Sequence, residues 1–435
     1  MRMHPALFMI VVWLGALSAF LVLPFQLTYR TISTDGFLVL LAFLAMFCLG
    51  GLLRTVYLPQ QPVQAPTEID FSRADLLLKS IAVVGCISMG YELVRGAGLD
   101  LASAYTARSE QAQAMLLGTM SQSSGAFKIG FLCYPASYVY LVRAVLFKSK
   151  PNWVEIFIFG VFPGVLASLA MGGRTPLFST MAYAFLAYAA RPYLWGRVKA
   201  LGAAKPHRIH PLVKIVAVVL ALVGFNYFIN VFITRAELDG GGQEMLRHAA
   251  IRWGVTFGGP QAEWMVDLLG STTTYLIFVF VWYFIQGIVI SNSLFATYAG
   301  GPLMGVYGIE ITTAIMRRLD PDGVAQNFKY LLDHDIYGFY PSAFGTLYVD
   351  YLYGGLAIAL VWGWLAALVY RNTRLGQDAR WFVFAPFVTL GIFFSIVNTP
   401  LGFSNGFITH VWLVLAFVLM RRPADAAVAR NSSTN

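Results

Sequence analysis

Apolar residues run along this chain in long unbroken stretches, separated by short polar connectors in which basic residues gather. Stretches of roughly 18 or more residues, dominated by apolar side chains, fall near 6–23, 36–53, 74–94, 126–147, 153–172, 175–195, 212–233, 343–370, 379–397 and 403–420. Each is long enough to cross a hydrocarbon core of ~30 Å as a helix, in which every backbone N–H and C=O is satisfied within the segment. A strand barrel would show alternating segments of ~10 residues instead, and the chain has no such pattern. Two further apolar stretches, about 273–291 and 295–316, sit inside a long segment, 234–342. They read either as a membrane-crossing pair or as re-entrant and interfacial helices, and both readings leave the parity of the later spans unchanged. The pattern predicts an all-α polytopic integral membrane protein with about 10–12 transmembrane helices, one membrane domain over residues 1–435, and no internal repeat.

Composition strengthens this reading. Of 435 residues, 58% are hydrophobic and 12% charged, and the mean hydropathy is +0.66; a water-facing shell needs far more polar surface. The net charge of +9 invites a nucleic-acid reading, but the basic residues sit in connectors between apolar runs, not on a solvated face, so nucleic acid is excluded as a partner. Cys48, Cys86 and Cys133 fall in or beside apolar runs without metal-site or disulfide spacing and read as small buried hydrophobes. Arg2 followed by Ala6 to Leu23 reads as a retained signal anchor.

Orientation follows from the connectors. Arg191, Arg197, Lys199, Lys205, Arg208 and Lys214 crowd one short loop that has no acidic residue. Lys148 and Lys150, Arg371, Arg374 and Arg380, and Arg421 and Arg422 fall on the same side. The positive-inside rule makes that side cytoplasmic, with both termini there. Two loops then lie outside, 95–125 and 234–342, the second expected to hold membrane-embedded or interfacial helices. Loops of that length in a compact protein usually carry function.

Candidate chemistry gathers on the outer side. Met171-Gly172-Gly173-Arg174-Thr175-Pro176 falls at a turn between two spans, with Pro176 suited to a first helical turn. Arg174 there reads as a planar fork for phosphate beside helix N-terminal amides, or as a snorkelling anchor of a helix end. Arg235, Arg247 and Arg252 sit outside, against the usual charge bias. They read as binding an anionic lipid headgroup or as pairing with Glu237, Asp239 and Glu244, the first favoured for Arg235 and Arg252 and the second for Arg247. His334, flanked by Asp333 and Asp335, reads as a general base or as a solvated loop histidine. Asp350 is expected a turn or two inside the span 343–370, where an ionisable group is costly. Lys128 and Glu92 are expected near the outer face, Arg143 snorkelling near the inner one, and His410 in a helix–helix hydrogen bond. Trp253, Trp264 and Tyr337 suit an interfacial belt or stacking on sugar rings. The chain shows no zinc-type cluster, P-loop or nucleotide-binding glycine motif.

In four features the chain resembles the O-antigen polymerase (Wzy-type) family, the oligosaccharide repeat-unit polymerases of bacterial inner membranes. These are the Gly172-Gly173-Arg174-Thr175-Pro176 turn; the segment Tyr91 to Arg108 with Glu92, Arg95 and Tyr105-Thr106-Ala107-Arg108; the aromatic stretch Tyr275–Phe295 leading to Gly305 and Glu310; and Pro341-Ser342 followed by Asp350 and Gly354-Gly355. The resemblance implies glycosyl transfer on the outer leaflet between repeat units carried on undecaprenyl pyrophosphate, building O-antigen, capsule or a related surface polysaccharide. It implies membrane lipid around the site, a chain-length regulator and a flippase of the same pathway as partners, and neither cofactor nor metal. Arg174, His334, Asp335, Asp350 and Glu310 are then the catalytic candidates. Arg95, Arg108, Arg235, Arg252, Arg317, Arg318, Tyr337 and Tyr340 are the candidates for holding pyrophosphate or sugar. The related O-antigen ligases carry a histidine–asparagine pair near the start of the span after the large loop. Tyr340-Pro341-Ser342 stands there in this chain, which favours polymerase over ligase and leaves the base open among His334, Asp335, Glu310 and Asp350. The competing reading is a transporter or flippase of a lipid-linked glycan or other anion, which would place charge deep within several spans and show repeat symmetry.

Overall fold

Helices form where the apolar runs fall, because a backbone withdrawn from water must satisfy its polar groups along itself. The computed structural model describes residues 3–22, 25–27, 32–53, 69–95, 124–171, 173–199, 211–238, 240–257, 260–333, 340–375 and 378–421. In order they form α1 (Pro5–Val22), strand β1 (Phe25–Leu27), α2 (Thr34–Leu53), α3 (Ser72–Arg95), α4 (Gly125–Cys133), α5 (Ala136–Phe147), α6 (Trp153–Ala170), α7 (Thr175–Lys199) and α8 (Pro211–Leu238). There follow α9 (Gly242–Trp253), strand β2 (Val255–Phe257), α10 (Pro260–Leu269), α11 (Ser271–Thr297), α12 (Glu310–Leu319), α13 (Pro321–Asp333), α14 (Ser342–Tyr351), α15 (Gly355–Leu375), α16 (Ala379–Ile396) and α17 (Gly406–Leu419). Among the described residues eight segments are long and apolar enough to cross a membrane: α1, α2, α3, α4 with α5, α6, α11, α14 with α15, and α16. α17 is a shorter apolar helix, and α7 and α8, at 25 and 28 residues, stand where two more runs were expected. The chain is a mostly helical, multi-pass membrane protein.

Contacts between helix ends define two faces. At one, the basic face, His4 before α1 packs edge-on to Tyr370 near the end of α15, with ring centroids 5.2 Å apart. Asp70 ahead of α3 bridges to Arg421 after α17, and the Ser72 N–H and hydroxyl hold the Asp70 carboxyl below its usual range. Arg197 at the end of α7 bonds the Thr373 carbonyl of α15. At the opposite face β1 pairs antiparallel with β2, Phe25 opposite Phe257, and Asn292 near the end of α11 grips the backbone of Ser33 just before α2. Asn292 Oδ1 accepts from the Ser33 N–H at 2.7 Å and its Nδ2 donates to the Ser33 carbonyl at 2.9 Å.

Small residues bring α2 and α15 together. They run parallel: Gly355 lies against Phe43, while Gly363 lies against Phe47 and Gly51. A Cβ on Gly50 would strike the Leu360 carbonyl, and one on Gly363 the Phe47 carbonyl. Any larger residue at either position separates the helices, and without a hydrophobic driving force in lipid such close packing is what holds them.

Several expectations are corrected. The span 343–370 is not one helix. Leu352, at φ 50°, breaks it, and α14 folds back on α15, placing the Leu347 carbonyl 2.8 Å from a Cβ built on Gly355 and Phe344 near Trp362 (6.4 Å between centroids). Phe344 also stacks on Trp13 in the middle of α1, at 5.2 Å, so the N-terminal end of α14 lies beside the middle of α1. The stretch 295–316 is no span: α11 ends at Thr297 and α12 begins only at Glu310. α11 has the length to cross, yet its first turns pack on α9, with Thr272 against Gly242, and its last bond Ser33. Both ends are tied to the face opposite the basic one. Arg143 does not snorkel; it is 1% exposed, ion-paired with Asp75 of α3 and covered by the Phe71 and Tyr140 rings. His410 bonds within its own helix, Nδ1 lying 2.7 Å from the Gly406 carbonyl, and not across to a neighbour.

Candidate functional site

Arg174 sits where the sequence placed it, in the turn between α6 and α7 at the face opposite the basic one. Ser168, one turn before α6 ends, shapes this turn: its carbonyl accepts from the Gly173 N–H at 3.0 Å and its hydroxyl from the Leu177 N–H at 2.8 Å. The second bond caps an amide in the first turn of α7 that has no partner within the helix. The Arg174 carbonyl accepts the Phe178 N–H at 2.9 Å, so the residue is itself the last one before the helix.

The Arg174 guanidinium is directed by aromatics from two other helices. Its central carbon lies 3.5 Å from the ring centroid of Phe232 and 5.1 Å from that of Phe228, both on α8. Nη2 donates to the Tyr283 hydroxyl of α11 at 3.4 Å. Nη1 is buried and has no hydrogen-bond partner among the described residues. Cation–π contacts hold the charge in place without using its N–H groups, so a fork built to donate to an oxyanion keeps a donor unspent. Tyr283 in turn packs against Tyr340, ring centroids 6.2 Å apart, just ahead of α14. Two predicted site residues, Arg174 and Tyr340, are thus joined by Tyr283, which sequence reasoning missed; only its place in the Tyr275–Phe295 aromatic stretch hinted at it.

A polar seam runs from this corner through the broken helices. Tyr138, just past the α4–α5 kink, donates to the Pro176 carbonyl at 3.2 Å and lies 3.5 Å from the Ser404 hydroxyl. Tyr134 interacts with Tyr138 and Ser404 and feels the charge of Glu310. Glu310 opens α12 directly after a knuckle at 304–308, and Asp350 organises that knuckle: Oδ1 accepts from the Tyr307 N–H at 2.9 Å and Oδ2 from the Gly308 N–H at 2.8 Å. Asp350 is 2% exposed. With both oxygens engaged by backbone amides, it positions the turn that carries Glu310. The 397–405 loop completes the seam, Thr346 donating to Asn398 at 3.4 Å. Just beyond α11, burial against Tyr330 raises the Tyr298 hydroxyl to about 12, so it stays a donor, to the Gly301 carbonyl at 2.7 Å.

The remaining candidates stand apart. Arg95 and Lys128 are exposed, and Glu92 accepts from Ser124, whose hydroxyl caps α4. Arg317 lies over Phe328 at 5.3 Å and Arg318 is exposed, both in the last turn of α12, where their charge suits the terminal carbonyls. Arg247 pairs with Glu244, Nη2 to Oε1 at 2.6 Å, and Trp264 is exposed. Arg108, His334, Asp335 and Tyr337 lie outside the described residues, as do the side chains of Arg235, Arg252 and Trp253. The chain matches no protein family, no curated protein and no solved structure.

Proposed function

We propose that this protein is a glycosyltransferase of the outer leaflet of a bacterial inner membrane, polymerising oligosaccharide repeat units carried on undecaprenyl pyrophosphate. The basic face lies in the cytoplasm with both termini, as the positive-inside rule requires, and the Arg174 corner lies at the depth of the outer headgroups. An acceptor hydroxyl attacks the anomeric carbon of the donor glycan. The bond to the pyrophosphate oxygen breaks, its electron pair stays with the departing undecaprenyl pyrophosphate, and the hydroxyl proton passes to a base. Arg174 stabilises the charge that grows on the leaving group. With the Asp350 oxygens engaged by backbone amides, the base is sought among Glu310, His334 and Asp335. A chain-length regulator and a flippase of the same pathway are the partners this role calls for.

One observation carries the reading: a half-buried arginine at a helix start, fixed by aromatic rings, has a buried Nη1 donor without a partner among the described residues. The test is elongation by the purified protein, given lipid-linked repeat units without nucleotide or divalent cation; longer glycans are expected. A second reading, transport of a lipid-linked glycan or another anion, draws on the helix break at Leu352, since discontinuous helices are a transporter device. Substrate movement across vesicles without elongation would decide for transport.

A further inference from the structure

Gln286 lies on α11, three residues after Tyr283 and therefore on an adjoining part of the same helix face. It is 3% exposed, and its Nε2 is buried without a partner among the described residues. A buried amide with no hydrogen bond is destabilising, so such a group calls for an explanation. Its surroundings supply one. Tyr283 meets Arg174 and Tyr340, while Gly287, next in sequence, abuts Ser342, a built Cβ lying 3.0 Å from the serine Cβ. This face of α11 therefore borders both the Arg174 corner and the start of α14. Three groups there retain hydrogen-bonding capacity among the described residues: Arg174 Nη1, Gln286 Nε2 and the Tyr283 O–H, whose oxygen already accepts from Arg174. All three are donors on or beside this face of α11, and donors without an acceptor suit an oxyanion.

We infer that Gln286 is a ligand-binding residue, donating its amide N–H to a diphosphate oxygen of the same anionic group that Arg174 holds, with the Tyr283 hydroxyl as third donor. The assignment rests on Arg174 being the anion-binding residue of the proposed reaction. It adds specificity: a guanidinium alone attracts any anion, whereas a neutral amide one helical turn from Tyr283 selects for an extended group with a second oxygen in reach.

The test uses the full-length protein in nanodiscs, measuring thermal stability and affinity for inorganic pyrophosphate and undecaprenyl pyrophosphate, with phosphatidylglycerol as the bulk-lipid control. Gln286→Leu removes the unpaired amide and is expected to hold or raise the melting temperature while weakening both pyrophosphate probes about tenfold. Gln286→Glu, which replaces the donor with a charge of the ligand's own sign, is expected to weaken them about a hundredfold. Should leucine not pack, Gln286→Met gives the same test with an unbranched chain. A more stable Gln286→Leu protein with unchanged pyrophosphate affinity overturns the assignment, and so does weakening confined to phosphatidylglycerol. If Arg174→Ala loses affinity and Gln286→Leu does not, Gln286 falls and the polymerase reading stands. If both lose affinity but the unaltered protein never elongates glycans, the anion site stands and the polymerase reading falls.

Discussion

The arginines at the two faces of this molecule have different partners. At the basic face Arg191 donates to three carbonyls at the end of α5: Nη1 to Val145 at 2.5 Å and Lys148 at 2.8 Å, and Nη2 to Ser149 at 3.0 Å. Arg197 bonds Thr373 near the end of α15, and Arg380 bonds Met420 after α17 at 2.5 Å while forking onto Asp378. Each closes a helix C-terminus, where orphan carbonyls and the negative end of the helix dipole favour a cation. At the opposite face Arg174 meets rings and one hydroxyl, at the N-terminal end of a helix, where a cation is disfavoured. The residue type that completes the fold at the basic face, and that pairs at Arg247 or ends a helix at Arg317 and Arg318, is left incomplete at Arg174. An incomplete arginine in an unfavourable field is better explained by a ligand than by stability.

Four substitutions break or sharpen that contrast. Arg174→Ala is expected to lower glycan elongation about 10³-fold, roughly 4 kcal/mol of transition-state stabilisation, with protein still present in the membrane. Arg174→Lys should recover little of it, since a point charge lacks the planar fork; an unchanged surface-glycan ladder in either variant removes Arg174 from the site. Asp350→Ala frees two backbone amides of the 304–308 knuckle, that of Gly308 buried, and is expected to cost about 3 kcal/mol of stability, read as a lowered unfolding midpoint in detergent. A variant of unaltered stability that no longer elongates would return Asp350 to the chemistry. Arg191→Ala, the smallest effect, should cost about 2 kcal/mol through the uncapped end of α5, with activity per folded molecule preserved. Lost activity at full stability would erase the distinction between the faces.

Gln286 and Asp350 show why buried polar groups have to be read through their partners. Both are nearly inaccessible, at 3% and 2% exposure. An ionisable group inside a span draws attention in a sequence, and Asp350 did; its oxygens turn out to hold backbone amides. A glutamine in an aromatic run draws none, yet its Nε2 is left without a partner among the described residues.

The sequence by itself determined which segments are helical and apolar, and it set α1, α2, α3 and α6 within about two residues of their observed ends. Hydrophobic length is a local property, and a bilayer imposes the same demand on every crossing segment. It also located the Arg174 turn, because glycine and proline punctuate a chain locally. Tertiary structure alone decided the rest. The break at Leu352 is held by α14 folding onto α15, and Arg143 is held by Asp75, 68 residues earlier in the chain. Phe228, Phe232 and Tyr283 gather around a residue 54 to 109 positions away. Whether a charge snorkels, caps a helix or waits for a ligand depends on what packs against it, and periodicity along one helix carries no record of its neighbours.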